Sequence, residues 1–598
     1  MKNPFDNWRR LRAALRLVWE SARGWTAMQA VVVAGQGLLP VATLFLTRQV
    51  VDAAGRFLAQ GSGVRDAREL FAWAPWVAAV AVAGWICRAL SSIVAEAQAE
   101  AVADRVQDAL QKKSAEVDLE YYETSSYHDQ MRLAQSEALS RPASIVQNLV
   151  RLGSGMLVLG SVAGVLGASQ GLMLPVLLAA ALPGSLARIL NSRRWNDWRK
   201  VQSASERYAG YLHLLLTSLP FAKEIRLNGN GNELRRQHRE LRGRLRRSRL
   251  ALRRRRATTE LAADVCSAAA MVAGMALIYL RMKSAAMTLG DLALLYGGFQ
   301  KGKSAFSGVL GSLASLYEDS LFLEHFHDFL ALPQRVRSPE HPKPAPRRIE
   351  REIRLEHVRF RYPGTERDVL RDIDLTIRAG EHVALVGENG SGKTTLVKLL
   401  CRLYDPTGGR ILVDGTDIRE FSPEAWRASF SALFQDFVRY QMTAGENVRM
   451  GDVAIPPGDS RIAAAARQAG AAHLIEQLPE GYETPLGRLY EGGGELSEGQ
   501  WQRIALARAF VRSAPIVVLD EPTAALDVKA ERDLLESVMN IFAGKTAIVV
   551  SHRFSTVQAA DRILVLAEGR IAESGTHEQL VQANGVYAGL FALNSNPR

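Results

Sequence analysis

Between residues 25 and 310 the chain carries six predominantly apolar blocks: Trp25–Leu46, Phe71–Ile86, Val146–Leu166, Leu172–Leu190, Leu261–Leu280 and Leu289–Leu310. A helix of about 20 apolar residues is what a bilayer demands, so this pattern constrains the first half of the chain more than any other feature. Inside lipid every backbone polar group needs a partner from its own segment, which leaves helices as the spanning structure. The second block is short as written and is expected to continue through Leu90. Mean hydropathy over the whole chain is near neutral, which is compatible with six spans because they occupy only part of 598 residues.

The connections between the blocks alternate in length and charge. Gly167–Gly171 and Arg281–Ala286 are short; Ser91–Ser144 and Asn191–Glu260 are long and carry Lys112, Lys113, Arg193, Arg194, Arg199, Lys200 and the arginine-rich stretch Arg235–Arg256. Positive residues flank spans on the cytoplasmic side, so the long connections and both termini are expected inside. The connection Arg48–Leu70 is also rather basic and runs against that trend. The long connections lack proline over Ala95–Ala115 and Glu233–Arg256 and favour helix, as if the spanning helices continued past the bilayer. Much of the net charge of +12 sits in that arginine stretch. With no aromatic interleaving or base-reading motif, membrane flanking explains it and no nucleic-acid partner is expected. Near the N-terminus, Trp8, Leu11, Leu15, Val18 and Trp19 alternate with arginines, the pattern of a helix lying in the lipid interface or of an ordinary amphipathic packing helix. Cys87, Cys266 and Cys401 are far apart and suit small buried hydrophobes better than a disulfide or metal framework.

Four prolines between Pro339 and Pro346 mark a linker over residues 333–350, separating a membrane domain (1–332) from a second domain (351–598). There, short β-type runs (Ile353–Phe360, His382–Val386, Ile516–Leu519, Thr546–Val550) alternate with helical stretches. This predicts an α/β domain around a largely parallel sheet.

Two motifs carry chemistry. Gly387-Glu388-Asn389-Gly390-Ser391-Gly392-Lys393-Thr394, followed by Thr395, leaves a buried-strand run and opens a helix. Glycines let backbone amides curl around phosphate at a helix N-terminus, Lys393 would reach the outer phosphates, and Thr394 would hold Mg²⁺. Ile516–Asp520 is an apolar strand ending in Asp520 and Glu521. Asp520 is placed to bind Mg²⁺ through water and Glu521 to polarise an attacking water.

With these residues the sequence resembles the ABC ATPase family over the whole chain, most specifically from Phe360 to His552. Leu496-Ser497-Glu498-Gly499-Gln500 is similar to the signature L-S-G-G-Q. The resemblance implies that Ser497 and Gly499 contact the γ-phosphate held by another subunit. It also implies that Gln435 senses Mg²⁺ and water, that His552 touches the γ-phosphate, that Tyr362 stacks on adenine, and that Ala525-Leu526-Asp527 is a dimer-contact loop. Coupling segments are implied near Leu119–Asp129 and Leu212–Ala222. Glu498 departs from the family, which has glycine there. Either its side chain points into solvent at a helix start that tolerates acids, or it weakens the γ-phosphate contact.

The order of domains resembles exporters. Leu119-Glu-Tyr-Tyr-Glu, Tyr127-His-Asp129, Phe434–Tyr440 and Gln500-Trp501-Gln502 resemble bacterial antimicrobial-peptide exporters of lantibiotic and lasso or microcin types. The expectation is therefore a homodimeric, ATP- and Mg²⁺-dependent exporter in the bacterial cytoplasmic membrane, carrying a small modified peptide. No cysteine protease domain precedes the first span, so leader cleavage is not expected. The alternatives are a lipid or glycolipid flippase on the same scaffold, or an ATP-binding regulatory or immunity protein with little transport. Lys301 and Lys303, in the last block, are candidates for facing the cargo cavity; the competing reading is snorkelling or a helix contact.

Overall fold

The computed structural model describes residues 4–60, 64–124, 131, 141–170, 173–282, 288–488, 493–522 and 544–595. The chain divides into two compact units, one of residues 1–115 and 129–332, the other of residues 116–128 and 333–598.

The first unit is helical: α1 (Pro4–Ser21), α2 (Arg23–Gln60) and α3 (Val64–Glu116), then, after the short α4 (Leu119–Tyr122) of the second unit, α5 (Arg141–Gln170), α6 (Met173–Thr217), α7 (Leu219–Leu227), α8 (Gly231–Met282) and α9 (Leu289–Leu330). The six apolar blocks fall in α2, α3, α5, α6, α8 and α9; Leu172 alone lies outside the described residues. Among the described residues, Arg23–Leu58, Phe71–Glu116 and Arg141–Gly167 are long and apolar enough to cross a membrane. The second block therefore runs on without a break. Apolar side chains are turned outward along these helices, with Val31 73%, Trp76 63% and Trp85 64% exposed, more than a water-facing surface tolerates and what lipid requires. The helices also continue past the apolar blocks. Residues 91–116 and 191–217 prolong α3 and α6, and the chain turns at Gly229 (φ +64) before α8 begins.

Packing inside this unit uses small residues and a few polar contacts. Leu44, Val162, Leu166, Leu294 and Leu295 form a buried cluster between α2, α5 and α9. Asp319 of α9, 2% exposed, accepts from Arg141 Nη1 (3.0 Å), Ser144 Oγ (2.9 Å) and Asn148 Nδ2 (3.0 Å), so a buried carboxylate pins α5 to α9 with its lone pairs satisfied. In α1, Ala14 and Val18 are buried while Leu15 and Trp19 are half exposed, giving the helix one packed face and one apolar edge left outside. Cys401 is buried as expected, but Cys266 is exposed; none of the three cysteines is paired.

In the second unit a six-stranded sheet runs in the order β10 (Arg570–Gly575), β9 (Arg562–Ala567), β3 (His382–Val386), β8 (Thr546–Val550), β7 (Ile516–Asp520), β6 (Phe430–Leu433). All neighbours are parallel except the edge pair β10–β9. β7 and β8 are buried at every position, which explains their unbroken apolar sequence: both faces are covered. The run Ile353–Phe360, expected in the parallel sheet, instead belongs to β1 (Glu352–Phe360) of a separate antiparallel sheet with β2 (Leu370–Arg378), β4 (Gly408–Val413) and β5 (Thr416–Asp417), in the order β2-β1-β4-β5. The reason is the short connection from β1 to β2, too brief for the crossover that parallel pairing needs. The helix α10 (Lys393–Leu400) follows β3, and α11 (Glu498–Phe510) precedes β7. Residues 333–350 carry no helix and no strand, only a bridge from Lys343 to Phe421.

Candidate active site

β3 delivers the chain into a loop that only glycine can build. Gly390 and Gly392 have φ of +80° and +107°. A Cβ on Gly387 would lie 2.2 Å from the Leu566 carbonyl, and one on Gly392 2.7 Å from Leu370 Cδ2. Gly392 is also the N-cap of α10 and supplies no side-chain acceptor, so the helix begins with uncapped N–H groups, an anion receptor. Lys393 Nζ donates to Gly387 O (2.7 Å) and Glu388 O (2.9 Å), folded over the loop. Burial lowers its pKa against the opposing pull of Glu521 and Asp520. Ser391 Oγ is buried without a hydrogen-bond partner. A curled amide loop, a buried ammonium and an orphaned hydroxyl together fit a polyphosphate.

Opposite the loop, β7 ends in the two carboxylates. Asp520, 3% exposed, accepts from Thr394 Oγ1 at 3.3 Å, so the two residues expected to hold a divalent cation are adjacent. Burial, then the neighbouring Glu521, push the Asp520 carboxyl up to about 6. A cation beside it would relieve both effects, which suits Mg²⁺ with its preference for oxygen ligands. Glu521 takes a left-handed backbone conformation (φ +52) that bulky residues avoid. It is held there by Glu521 N donating to Val550 O (2.8 Å) and by Gln502 Nε2 donating to Glu521 O (3.1 Å). The strained turn aims the carboxylate at Gln435 Nε2 (2.9 Å) and His552 Nε2 (3.2 Å).

These groups line one cleft of about 530 Å³, with Asn389, Gly390, Gly392 and Lys393 on the loop side, Thr394 and Thr395 at the helix start, and Gln435, Asp520, Glu521 and His552 facing them. Tyr362 closes one end. Its hydroxyl is 3.0 Å from Thr395 Oγ1, and its ring meets Phe360 and Tyr404 edge-on at 4.9 and 5.6 Å. Lys398 Nζ sits 5.7 Å over that ring and donates to Glu123 at 2.7 Å; Tyr404 also donates to Glu123, at 2.5 Å. Glu123 follows α4, so the segment expected to act in coupling folds with the second unit beside Tyr362. Its continuation Tyr127-His-Asp129 lies outside the described residues, as does the loop Ala525-Leu526-Asp527.

Ser497, Gly499 and Gln500 do not line this cleft. Ser497 caps α11: its hydroxyl accepts from Gln500 N, while Gln500 Oε1 accepts from Ser497 N at 2.8 Å. Glu498 is solvent-exposed, as one of the two readings expected, but its carboxylate is not alone: it is ion-paired with Arg439. Arg439, Gln502 and Glu123 lie in segments that carry the exporter resemblance, but the sequence assigns none of them a role at this site. Gln502 stood beside the signature, four residues after Glu498, the spacing that places it on the same helical face.

The first unit has a cleft of its own, about 870 Å³, between α2, α3 and α5. Arg88 and Arg151 line it, together with Glu96, Glu100, Gln36 and Gln147. Its depth follows from α2: Gln36 Nε2 donates to Cys87 O (2.9 Å), and a Cβ on Gly153 would be 3.6 Å from Val33 Cγ1. Arg88 and Arg151 therefore sit level with the middle of the apolar block Trp25–Leu46. Ser91 bonds Gln29 (2.9 Å) and Gln98 bonds Thr26 (2.6 Å), which puts Glu96 and Glu100 toward the start of α2. Lys301 and Lys303, half-buried on α9, are not among the residues lining this cleft.

Residues 370–524 match a family model described as ABC transporter. The chain is 45% identical over 262 residues to an ATP-dependent lipid A-core flippase of Alkalilimnicola ehrlichii, covering 43% of this chain and 44% of that one. It is 40% identical over 319 residues to a protein of the same name from Syntrophus aciditrophicus, covering 50% and 52%. The chain thus spans about half the length of the curated relatives it matches. A solved structure titled as a bacterial Atm1-family ABC exporter with ATP bound superposes with a TM-score of 0.83 over 96% of this chain and 99% of that one, at 23% identity. The fold is that of an ABC exporter half, a helical membrane unit and an α/β ATP-binding cassette.

Proposed function

We propose that the chain is one half of an ATP-driven exporter that moves an amphiphile with an anionic headgroup, working as a homodimer in the cytoplasmic membrane. The observation that carries the ATPase part is Glu521, held in a strained turn with Gln435 and His552 on its two oxygens and Asp520–Thr394 beside it. A retained base in that position argues against a cassette that only binds ATP. Mg²⁺ supplies charge neutralisation at the phosphates when bound. The chain's own residues do the rest: Asp520 and Thr394 hold the cation, Lys393 and the loop amides orient the phosphates, and Glu521 takes a proton from the attacking water. Ser497, Gly499 and Gln500 do not line this cleft, which supports their use by a second copy in two composite sites.

The peptide cargo expected from the sequence gives way to the flippase alternative. The peptide resemblance rested on Leu119–Asp129, Phe434–Tyr440 and Gln500-Trp501-Gln502, and of these the described residues 119–124, 434–440 and 500–502 belong to the second unit and not to the apolar helices of the first. The curated relatives carry the name lipid A-core flippase, and Arg88 and Arg151 set two cations at bilayer depth, where charge needs a partner. Reconstitution into liposomes with a fluorescent anionic lipid is the test. ATP-dependent movement of that lipid between leaflets is expected. Hydrolysis stimulated by a peptide, with no lipid movement, would overturn the cargo and leave the ATPase standing.

A further inference from the structure

The loop after Gln435 and the signature helix α11 are joined at two places. At the start of α11, Glu498 is ion-paired with Arg439, whose guanidinium lies 5.8 Å from the Phe437 ring. Ten residues further on, about 15 Å along the helix, Arg508 Nη1 donates to Val438 O at 2.9 Å and its guanidinium lies 4.5 Å over the Tyr440 ring. Helical side chains lean toward the N-terminus, so Arg508 reaches back along α11 to Val438 and Tyr440, the two residues flanking Arg439. The loop is braced from behind by the fully buried Asn447, whose Nδ2 donates to Tyr440 O at 2.8 Å. The loop is therefore strapped along α11.

The loop and α11 both reach Glu521, the loop at its carboxylate and the helix at its backbone carbonyl. Gln435, which opens the loop, donates to Glu521 Oε2 at 2.9 Å, and Gln502 of α11 donates to Glu521 O at 3.1 Å. Ser497, one residue before Glu498, is the group that the proposed dimer presents to the other subunit. A displacement of Gln435 at Glu521 thus reaches Ser497 through Arg439 and Glu498.

We infer that Arg439 and Glu498 are a positioning pair that ties the state of each chain's own catalytic carboxylate to the signature serine it lends its partner, making the two ATP sites of the dimer interdependent. The glutamate at the family's glycine position is what makes the pair possible. The inference rests on the two-site dimer proposed above. It reverses the expectation for an unpaired carboxylate facing phosphate, whose removal would lower the ATP requirement. Here removal loosens the strap and raises it.

The test is steady-state ATPase of the full chain in lipid, fitted for kcat, KM and Hill coefficient. Arg439→Glu and Glu498→Gln are each expected to raise KM for ATP about two- to fivefold, the range of an exposed ion pair, and to bring the Hill coefficient toward one. Effects on kcat are expected to be smaller. The charge swap Arg439→Glu with Glu498→Arg should restore both quantities, and raising salt from 50 to 500 mM should bring the parent toward the single variants. A lower KM in Glu498→Gln, or a swap no better than Arg439→Glu alone, overturns the pair. A parent with a Hill coefficient of one, or undiminished hydrolysis by Glu521→Gln, instead removes the two-site ATPase reading beneath it.

Discussion

Glu521 Oε1 lies 3.2 Å from His552 Nε2, while Oε2 accepts a 2.9 Å bond from Gln435 Nε2. The two partners come from opposite sides of β7, one after β6 and the other after β8, so the parallel order of the sheet is what brings them to a single carboxylate. A base so held is oriented before its water arrives, and orientation is much of what a general base contributes.

Glu521→Gln keeps the size of the side chain and an acceptor for Gln435 but loses the basic oxygen. Phosphate release should fall by about 10²- to 10⁴-fold, the usual contribution of a positioned base. ATP binding should survive, because the loop, Lys393 and Tyr362 are untouched. Phosphate release and equilibrium binding of a fluorescent ATP analogue, measured on one preparation, check both halves.

Asp520 makes a pH-dependent contribution with an unusual sign. Its carboxyl is pushed up to about 6 in the fold, against 3.8 when exposed. The folded chain therefore binds more protons between these values, and stability falls as pH rises from about 4 to about 6. At about 1.4 kcal/mol per pH unit, the loss above pH 6 is about 2–3 kcal/mol in the metal-free protein. Asp520→Asn removes the charge and keeps an acceptor for Thr394. With chelator present and no nucleotide, the variant should melt higher than the parent at pH 7.5 and equal it near pH 4.5. Adding Mg²⁺ and ATP should stabilise the parent and leave the variant nearly unchanged.

The phosphate loop, Asp520, Glu521, Gln435 and His552 were legible in the sequence because each sits at a strand end, where local pattern dictates position. The structure collects all of them in one cleft. The misplacement of β1 has a different cause: an alternating apolar strand reads the same in either sheet, and only the length of the β1–β2 connection separates the two. The contacts of Arg439, Gln502 and Glu123 were not legible, since their partners are 59, 19 and 275 residues away and nothing local encodes such distances. Arg88 left a fainter signal. Ser91, Ser92, Ala95, Ala99 and Ala103 follow it at helical spacing, a stripe of small residues that makes room for a cleft.

Tyr362 should contribute to nucleotide affinity more than to turnover. Its ring is packed by Phe360 and Tyr404 and tied to the loop helix through Thr395. Tyr362→Ala removes both the ring and the tie and should raise KM for ATP about three- to tenfold with a smaller change in kcat, the mark of uniform binding. Tyr362→Phe keeps the ring and should stay within about twofold of the parent. ATP titrations of the two variants decide whether the ring or the hydroxyl matters.

Arg88 and Arg151 should govern cargo recognition ahead of Lys301 and Lys303. Both guanidiniums line the cleft of the first unit at the level of Val33–Gln36, deep in the apolar block, and neither makes a side-chain hydrogen bond or ion pair among the described residues. Two unpaired like charges at that depth are unfavourable unless an anion or water meets them. A charge-assisted bond to an anionic headgroup contributes about 1.5–3 kcal/mol, so Arg88→Gln or Arg151→Gln should weaken half-maximal stimulation of ATPase by an anionic lipid about 10- to 100-fold. The stimulated rate should suffer more than the basal rate, because the cassette residues are intact. Glu96 and Glu100, lower in the same cleft, should act oppositely: Glu96→Gln and Glu100→Gln relieve repulsion of an anion and should leave stimulation equal or stronger. Lys301→Gln and Lys303→Gln, which alter no residue of the cleft lining, should shift it less than either arginine variant. Titrating stimulation with an anionic and a zwitterionic lipid across the six variants gives the ranking, and lysine effects exceeding those of the arginines would move the cargo site to α9.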